Sequence, residues 1–128
     1  MSKLTAEQKA ENVIKWINAL WSGEYKQTTL RLGDGRGYCC LGLGCKLTGV
    51  DFSPMDSLAY GITKTTGLLT ENGELKNGSD RVERYTSLAA LNDDEGYKFD
   101  QIADVIWKYK DDLFEPKVAK ALSEGWEV

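Results

Sequence analysis

The sequence predicts a small α+β domain, with terminal helices packed on short antiparallel strands and hairpins between them. Three observations carry that expectation. Apolar residues recur at helical spacing near both ends, first from Ala10 to Leu20 and again from Phe99 to Leu113. Two glycine-bearing turns, Gly33-Asp34-Gly35-Arg36-Gly37 and Asn72-Gly73, punctuate the middle and are flanked by strand-prone residues. No internal repeat, low-complexity tract or linker interrupts the 128 residues, and 41% of them are hydrophobic, so residues 1–128 are expected to share one core.

The first helix has the clearest start. Thr5-Ala6-Glu7-Gln8 has the form of a capping box, in which the Thr5 hydroxyl and the Gln8 amide satisfy each other's backbone N–H groups. Ala10, Val13, Ile17 and Leu20 follow on one face, widened by Trp16 and Trp21, and Ser22-Gly23 ends the run. Thr28 to Leu32 has strand composition, and Tyr38-Cys39-Cys40 is placed to pair back on it across the glycine-rich turn. From Leu41 the spacing of Leu43 and Leu47 suits a short helix ending at Thr48-Gly49. A loop over 50–55 precedes a brief helix, Leu58 to Lys64, capped by Asp56 or Ser57. Gly67 to Leu75 then reads as a hairpin turned at Asn72-Gly73. After a polar stretch over 76–85, Ser87 caps a turn carrying Leu88, Ala89 and Leu91. A long helix carries Phe99, Ile102, Ile106, Tyr109 and Leu113 on one side, and a last one begins near Glu115, with Pro116 at its first position, and ends near Gly125.

Composition restricts partners. Twenty acidic against sixteen basic residues give a net charge of −4, and no Lys/Arg cluster of the kind that neutralises duplex phosphates is present. Long nucleic acid and anionic membrane surfaces are therefore not expected partners. No apolar run has the length of a membrane span and no signal peptide is recognised, so a cytoplasmic location is expected. Three cysteines in that compartment are expected to stay reduced and mostly buried.

Three blocks of sequence stand out: Leu20…Ser22-Gly23-Glu24-Tyr25-Lys26-Gln27; Tyr38-Cys39-Cys40-Leu41-Gly42 with Cys45 and Leu47; and Leu91-Asn92-Asp93 followed by Phe99…Ile102-Ala103-Asp104…Ile106. Together they resemble a family of small uncharacterised proteins encoded by tailed bacteriophages, over about residues 13–107. That family often carries Ser or Thr just before the Phe of the last block, where this chain has Lys98. The resemblance implies no catalytic residue. It implies a context, an infected bacterial host, in which small accessory proteins modulate host functions and some counter immunity by sequestering nucleotide signals.

The candidate chemistry centres on the cysteine- and glycine-rich block. The chain has no histidine, which removes the usual base for a cysteine nucleophile and the usual nitrogen ligand for zinc. Cys39 or Cys40 with Cys45 makes one loose pair without a second knuckle, so no metal and no cofactor is expected. The turn at Gly33 to Gly37 does not match a P-loop or a dinucleotide fingerprint. Asn92 to Gly96 matches a calcium loop only superficially and reads as the acidic start of the following helix, with Asp93 placed to orient a ligand hydroxyl or Arg81 or Arg84.

The expected function is binding without catalysis: a phage accessory protein that sequesters a small phosphorylated ligand such as a nucleotide immune signal. Arg31 and Arg36 would offset phosphate charge, amides near Leu41, Gly42 and Gly44 would donate to it, and Tyr25 or Tyr38 would stack on a base. A homo-oligomer would help enclose the ligand. Two alternatives stay open: a protein-binding inhibitor of a host enzyme, and a small nucleotide hydrolase or cysteine enzyme using Cys40.

Overall fold

Helix α1, Ala6–Ser22, runs through the centre of the protein. The computed structural model describes residues 4–28, 37–50, 61–74, 87–93 and 96–125. Around α1 lie α2 (Cys40–Leu47), α3 (Ile62–Thr66), α4 (Leu88–Asp93), α5 (Phe99–Lys108), α6 (Lys110–Leu113) and α7 (Pro116–Gly125). The capping box is complete, with Thr5 N–H donating to Gln8 Oε1 at 2.8 Å and Gln8 N–H donating to Thr5 Oγ1 at 3.1 Å. Ala10, Val13, Trp16, Ile17 and Leu20 form the buried stripe. Through it α1 packs against α2, α3, α5 and α7, a wider set of neighbours than any other helix has. Among the described residues no helix is long and apolar enough to cross a membrane.

The α+β expectation is overturned. The described residues form seven helices and no sheet, and extended pairing is confined to three single bridges. Thr28 meets Tyr38 through one bond, Thr28 N–H to Tyr38 O at 2.9 Å, and the adjoining Gln27–Tyr38 bridge is parallel rather than a hairpin rung. Residues 29–36, and with them most of the expected first hairpin, lie outside the described residues.

The second hairpin loses its strands, and its turn falls one residue earlier than expected. Gly73 N–H donates to Thr70 O at 3.2 Å, centring the turn on Glu71-Asn72, and Leu68 bridges to Phe114 and Glu74 to Ser87 instead of to each other. Leu69 N–H donates to Leu113 O and Glu115 N–H to Gly67 O, tying this segment to the α6–α7 connection. The reason is burial. A lone two-stranded hairpin is marginal in water, whereas this route places Leu68 and Phe114 in the core at 2% and 0% exposure.

The remaining elements follow their local signals. Ser87 Oγ caps α4 by accepting Ala90 N–H at 3.1 Å. The expected helix over 58–64 appears as α3, begun at Gly61, while its proposed caps Asp56 and Ser57 fall outside the described residues. The single helix expected from Phe99 to Leu113 is broken at Tyr109 into α5 and α6. Glycine enters the core at Gly44, where α2 crosses α1. A Cβ there would stand 2.8 Å from Ile62 Cδ1 and 3.0 Å from Trp16 Cε2. That contact lets Trp16 Nε1 reach Cys40 O at 2.8 Å, so the one large polar atom on the buried α1 face is satisfied.

Candidate functional site

The three distinctive sequence blocks converge on one carboxamide. Asn92, 2% exposed at the end of α4, accepts Gln27 Nε2–H at 2.8 Å and Cys40 backbone N–H at 3.2 Å through Oδ1. Its Nδ2 donates to Thr28 O and to Asp93 Oδ1, both at 2.8 Å. Gln27 extends the network, donating Nε2–H to Tyr97 O at 2.8 Å and accepting Phe99 N–H at 3.1 Å. A buried amide whose donors and acceptors are all paired is a rigid joint, and leaving any of them unpaired is costly. Here the joint fixes the segment after α1, the start of α2, the end of α4 and the start of α5 relative to one another.

The same joint accounts for the cysteine- and glycine-rich block. Leu41, Gly42 and Gly44 are buried in α2, and the first amides of that helix are already committed. Cys40 N–H goes to Asn92, Gly42 N–H to Cys39 Sγ at 3.3 Å, and Leu43 N–H to Cys39 O at 2.9 Å. In this arrangement these amides face protein acceptors, and the cradle expected at Leu41–Gly44 is a packed helix start.

The thiols are equally internal. All three cysteines are free and buried. Cys40 Sγ donates to Leu88 O at 3.5 Å, a contact that requires the protonated thiol. Burial raises the pKa of Cys39, against the lowering effect of Gly42 N–H. Burial, reinforced by neighbouring Cys39, raises Cys40 well above the ordinary thiol value, and burial pushes Cys45 up to about 12. Thiols in that state are poor nucleophiles. Among the described residues no cluster of His, Cys, Asp or Glu is arranged to hold a metal ion.

The other expected site residues disperse. Tyr38 is half-buried with Lys46 Nζ 5.6 Å from its ring centroid. Asp93 is half-buried and accepts from Asn92, so it serves the joint. Arg31, Arg36, Arg81 and Arg84 lie outside the described residues, as do Asp94 and Glu95 of the acidic loop.

Tyr25 reaches an open concavity. A shallow cleft of about 260 Å³ lies between the end of α1 and the start of α5, lined by Leu20, Trp21, Tyr25 and Phe99 with Gly23, Gln27, Lys98 and Asp100. Gly23 ends α1 in the left-handed conformation (φ 75°) and turns the chain so that Tyr25 and Gln27 complete the wall. Trp21 is held by its indole N–H, which donates to Asp104 Oδ1 at 3.0 Å. Lys98 stands at the N-cap of α5, where an ammonium accepts nothing. The helix start is secured instead by Gln101 Oε1 accepting Lys98 N–H at 2.8 Å and by Asp100 Oδ1 accepting Gln101 N–H at 3.0 Å. The Lys98 side chain is left exposed at the cleft.

Trp21 had the spacing of a core aromatic, and Lys98, Phe99 and Asp100 carried no site signal of their own. The cleft forms where the first and third sequence blocks meet in the fold, a juxtaposition that the sequence alone does not show.

A family described as a domain of unknown function (DUF8296) matches residues 8–57, less than half of the chain. The match takes in most of α1, Tyr25, Gln27 and all of α2, and stops short of Asn92 and the α5 side of the cleft. No curated protein and no solved structure matches the chain.

Proposed function

We propose that this chain is a non-catalytic binding protein that holds a small phosphorylated ligand with a flat ring system, a nucleotide or nucleotide-like signal, in the cleft between α1 and α5. The observation that carries the reading is the pair of half-buried rings Trp21 and Tyr25 at one open concavity, bordered by buried Phe99, with the Lys98 ammonium at its edge. Aromatic faces stack on any base, each such contact being worth about 1–3 kcal/mol, and a lysine is a serviceable point charge for phosphate. At about 260 Å³ the cleft lies just below the roughly 300–1,000 Å³ typical of small-molecule pockets, which suits one ring system and its phosphate rather than a dinucleotide.

The state of the thiols favours holding over transforming. Cys40 is fully buried, donates its proton to a carbonyl and has its pKa raised, the opposite of what a cysteine nucleophile needs. Capture of a nucleotide signal accords with the phage accessory role that the three sequence blocks suggest. Isothermal titration of the full chain against a panel of linear and cyclic nucleotides tests the reading. Saturable heat, with the ligand recovered chemically intact, is expected. Absence of heat with folded protein, or recovery of a hydrolysed ligand, would overturn it.

A further inference from the structure

Asp104 lies in the third distinctive block of sequence and outside the residues that line the cleft. It stands one step behind the wall. Its Oδ1 accepts the Trp21 indole N–H at 3.0 Å, across 83 residues of sequence. Trp21 sits in the last turn of α1 and Asp104 in the middle of α5, so the bond joins the two helices whose ends form the cleft.

An indole has one polar hydrogen, fixed in the plane of the ring, and the ring turns about two side-chain torsions. An acceptor for that hydrogen therefore sets the direction of the ring as well as its place. Trp16, on the same helix, is fixed from within: it is fully buried, and its N–H goes to Cys40 O at 2.8 Å. Trp21 is only half-buried, packed on the core along one part and facing the cleft along another. Its orientation depends more on the hydrogen bond, and the acceptor is an exposed side chain. A ring already set when a ligand arrives loses little freedom on stacking. Ordering a free side chain at that moment weakens binding by about three- to tenfold.

We infer that Asp104 is a positioning residue for the cleft, holding the Trp21 ring in its stacking orientation before a ligand enters. The inference rests on the nucleotide reading proposed above. Asp104 also brings a negative charge near a site read as taking phosphate, so its charge and its acceptor oxygen act on affinity in opposite senses. Asp104→Asn and Asp104→Ala separate the two. Both remove the charge, and only asparagine keeps an oxygen that can accept the indole N–H.

The full-length parent and both variants are titrated calorimetrically with AMP, GMP, cyclic AMP and ATP at one ionic strength. For whichever of these the parent binds, Asp104→Asn should bind about three- to tenfold tighter than Asp104→Ala. The position is exposed, so circular dichroism should report unchanged folds. A second readout needs no ligand. In the proton–nitrogen NMR spectrum the Trp21 indole signal, identified by its loss in Trp21→Phe, should move in Asp104→Ala and return towards the parent position in Asp104→Asn. Equal affinities of the two Asp104 variants, or an indole signal unmoved by Asp104→Ala, would overturn the inference while the nucleotide reading stands. If the parent binds none of the four nucleotides, the nucleotide reading and this inference fail together.

Discussion

The Asn92 carboxamide oxygen accepts the backbone N–H of Cys40 at 3.2 Å, across 52 residues of sequence, in the buried interior. The same oxygen accepts Gln27 Nε2–H, and the amide nitrogen beside it holds Thr28 O. One side chain therefore satisfies polar groups contributed by the segment after α1 and by the start of α2. Asn92→Leu keeps the branched outline, at a larger volume, and removes every partner at once, leaving the Cys40 N–H and the Thr28 carbonyl unpaired. Since each orphaned buried group costs about 1–3 kcal/mol, the variant should lose about 2–5 kcal/mol in urea unfolding. A loss below about 0.5 kcal/mol, the scale of an ordinary surface change, would show that the joint is dispensable.

Gly44 predicts a second sensitivity, this one steric. A methyl group added there meets Ile62 Cδ1 and the Trp16 indole, and both neighbours are themselves fully buried. Overpacking of this kind costs about 1–3 kcal/mol, so Gly44→Ala should destabilise by that amount even though alanine is the better helix former. Because the closest atom is the Ile62 terminal methyl, Ile62→Val should recover part of the loss in the double variant while being mildly destabilising alone. Strict additivity of the two changes in chemical denaturation would contradict the assigned contact.

How legible this was in the sequence differed by region, for physical reasons. The Thr5–Gln8 capping box, the Ser87 cap, Pro116 at the start of α7 and the stop at Gly23 are local devices, and each operates where the residues place it. The fold class was misread because strand composition and turns are local while pairing is not. The chain does turn, at Glu71-Asn72 rather than Asn72-Gly73, but Leu68 finds Phe114 and Glu74 finds Ser87, partners that no short window reveals. The break at Tyr109 escaped the periodicity because Phe99, Ile106 and Leu113 keep one apolar stripe through it. At the candidate site, Tyr25 was legible as an aromatic beside the glycine-rich region. Lys98 was conspicuous only for departing from Ser or Thr. The amides of Leu41 to Gly44 suggested an anion cradle because glycine permits close approach. Here that approach serves the Trp16 indole and a helix crossing.

The buried thiols make stability depend on alkaline pH. The unfolded chain releases the Cys45 proton near the ordinary value of 9.0, whereas the folded protein holds it to about 12. Between those values the unfolded state binds fewer protons, so unfolding becomes easier as pH rises. The contribution is intact below pH 9.0 and is lost progressively towards about 12, with Cys39 and Cys40, also raised, adding in the same sense. Urea midpoints should be flat with respect to these groups at neutral pH and fall above that threshold. Cys45→Ala should show a shallower fall than the parent; parallel curves would mean that Cys45 titrates alike in both states. At neutral pH, a thiol reagent should modify the folded protein slowly and all three thiols promptly in denaturant.

Tyr25 and Tyr38 were equivalent candidates in the sequence and are separated by the structure. Tyr25 lines the cleft with Trp21 and Phe99, whereas Tyr38 pairs with Thr28 through its backbone and lies near the Lys46 ammonium. If the cleft is the ligand site, Tyr25→Ala removes a stacking face and should weaken nucleotide binding by about 1–3 kcal/mol, roughly 5- to 150-fold. Tyr25→Phe should retain most of the affinity, because the ring and not the hydroxyl supplies the contact. Tyr38→Ala should leave affinity within about twofold of the parent and act on stability instead, through lost packing. Titration calorimetry on the three variants, with urea unfolding as the control, decides the matter. The reverse pattern, with Tyr38 essential and Tyr25 silent, would move the site away from the α1–α5 cleft.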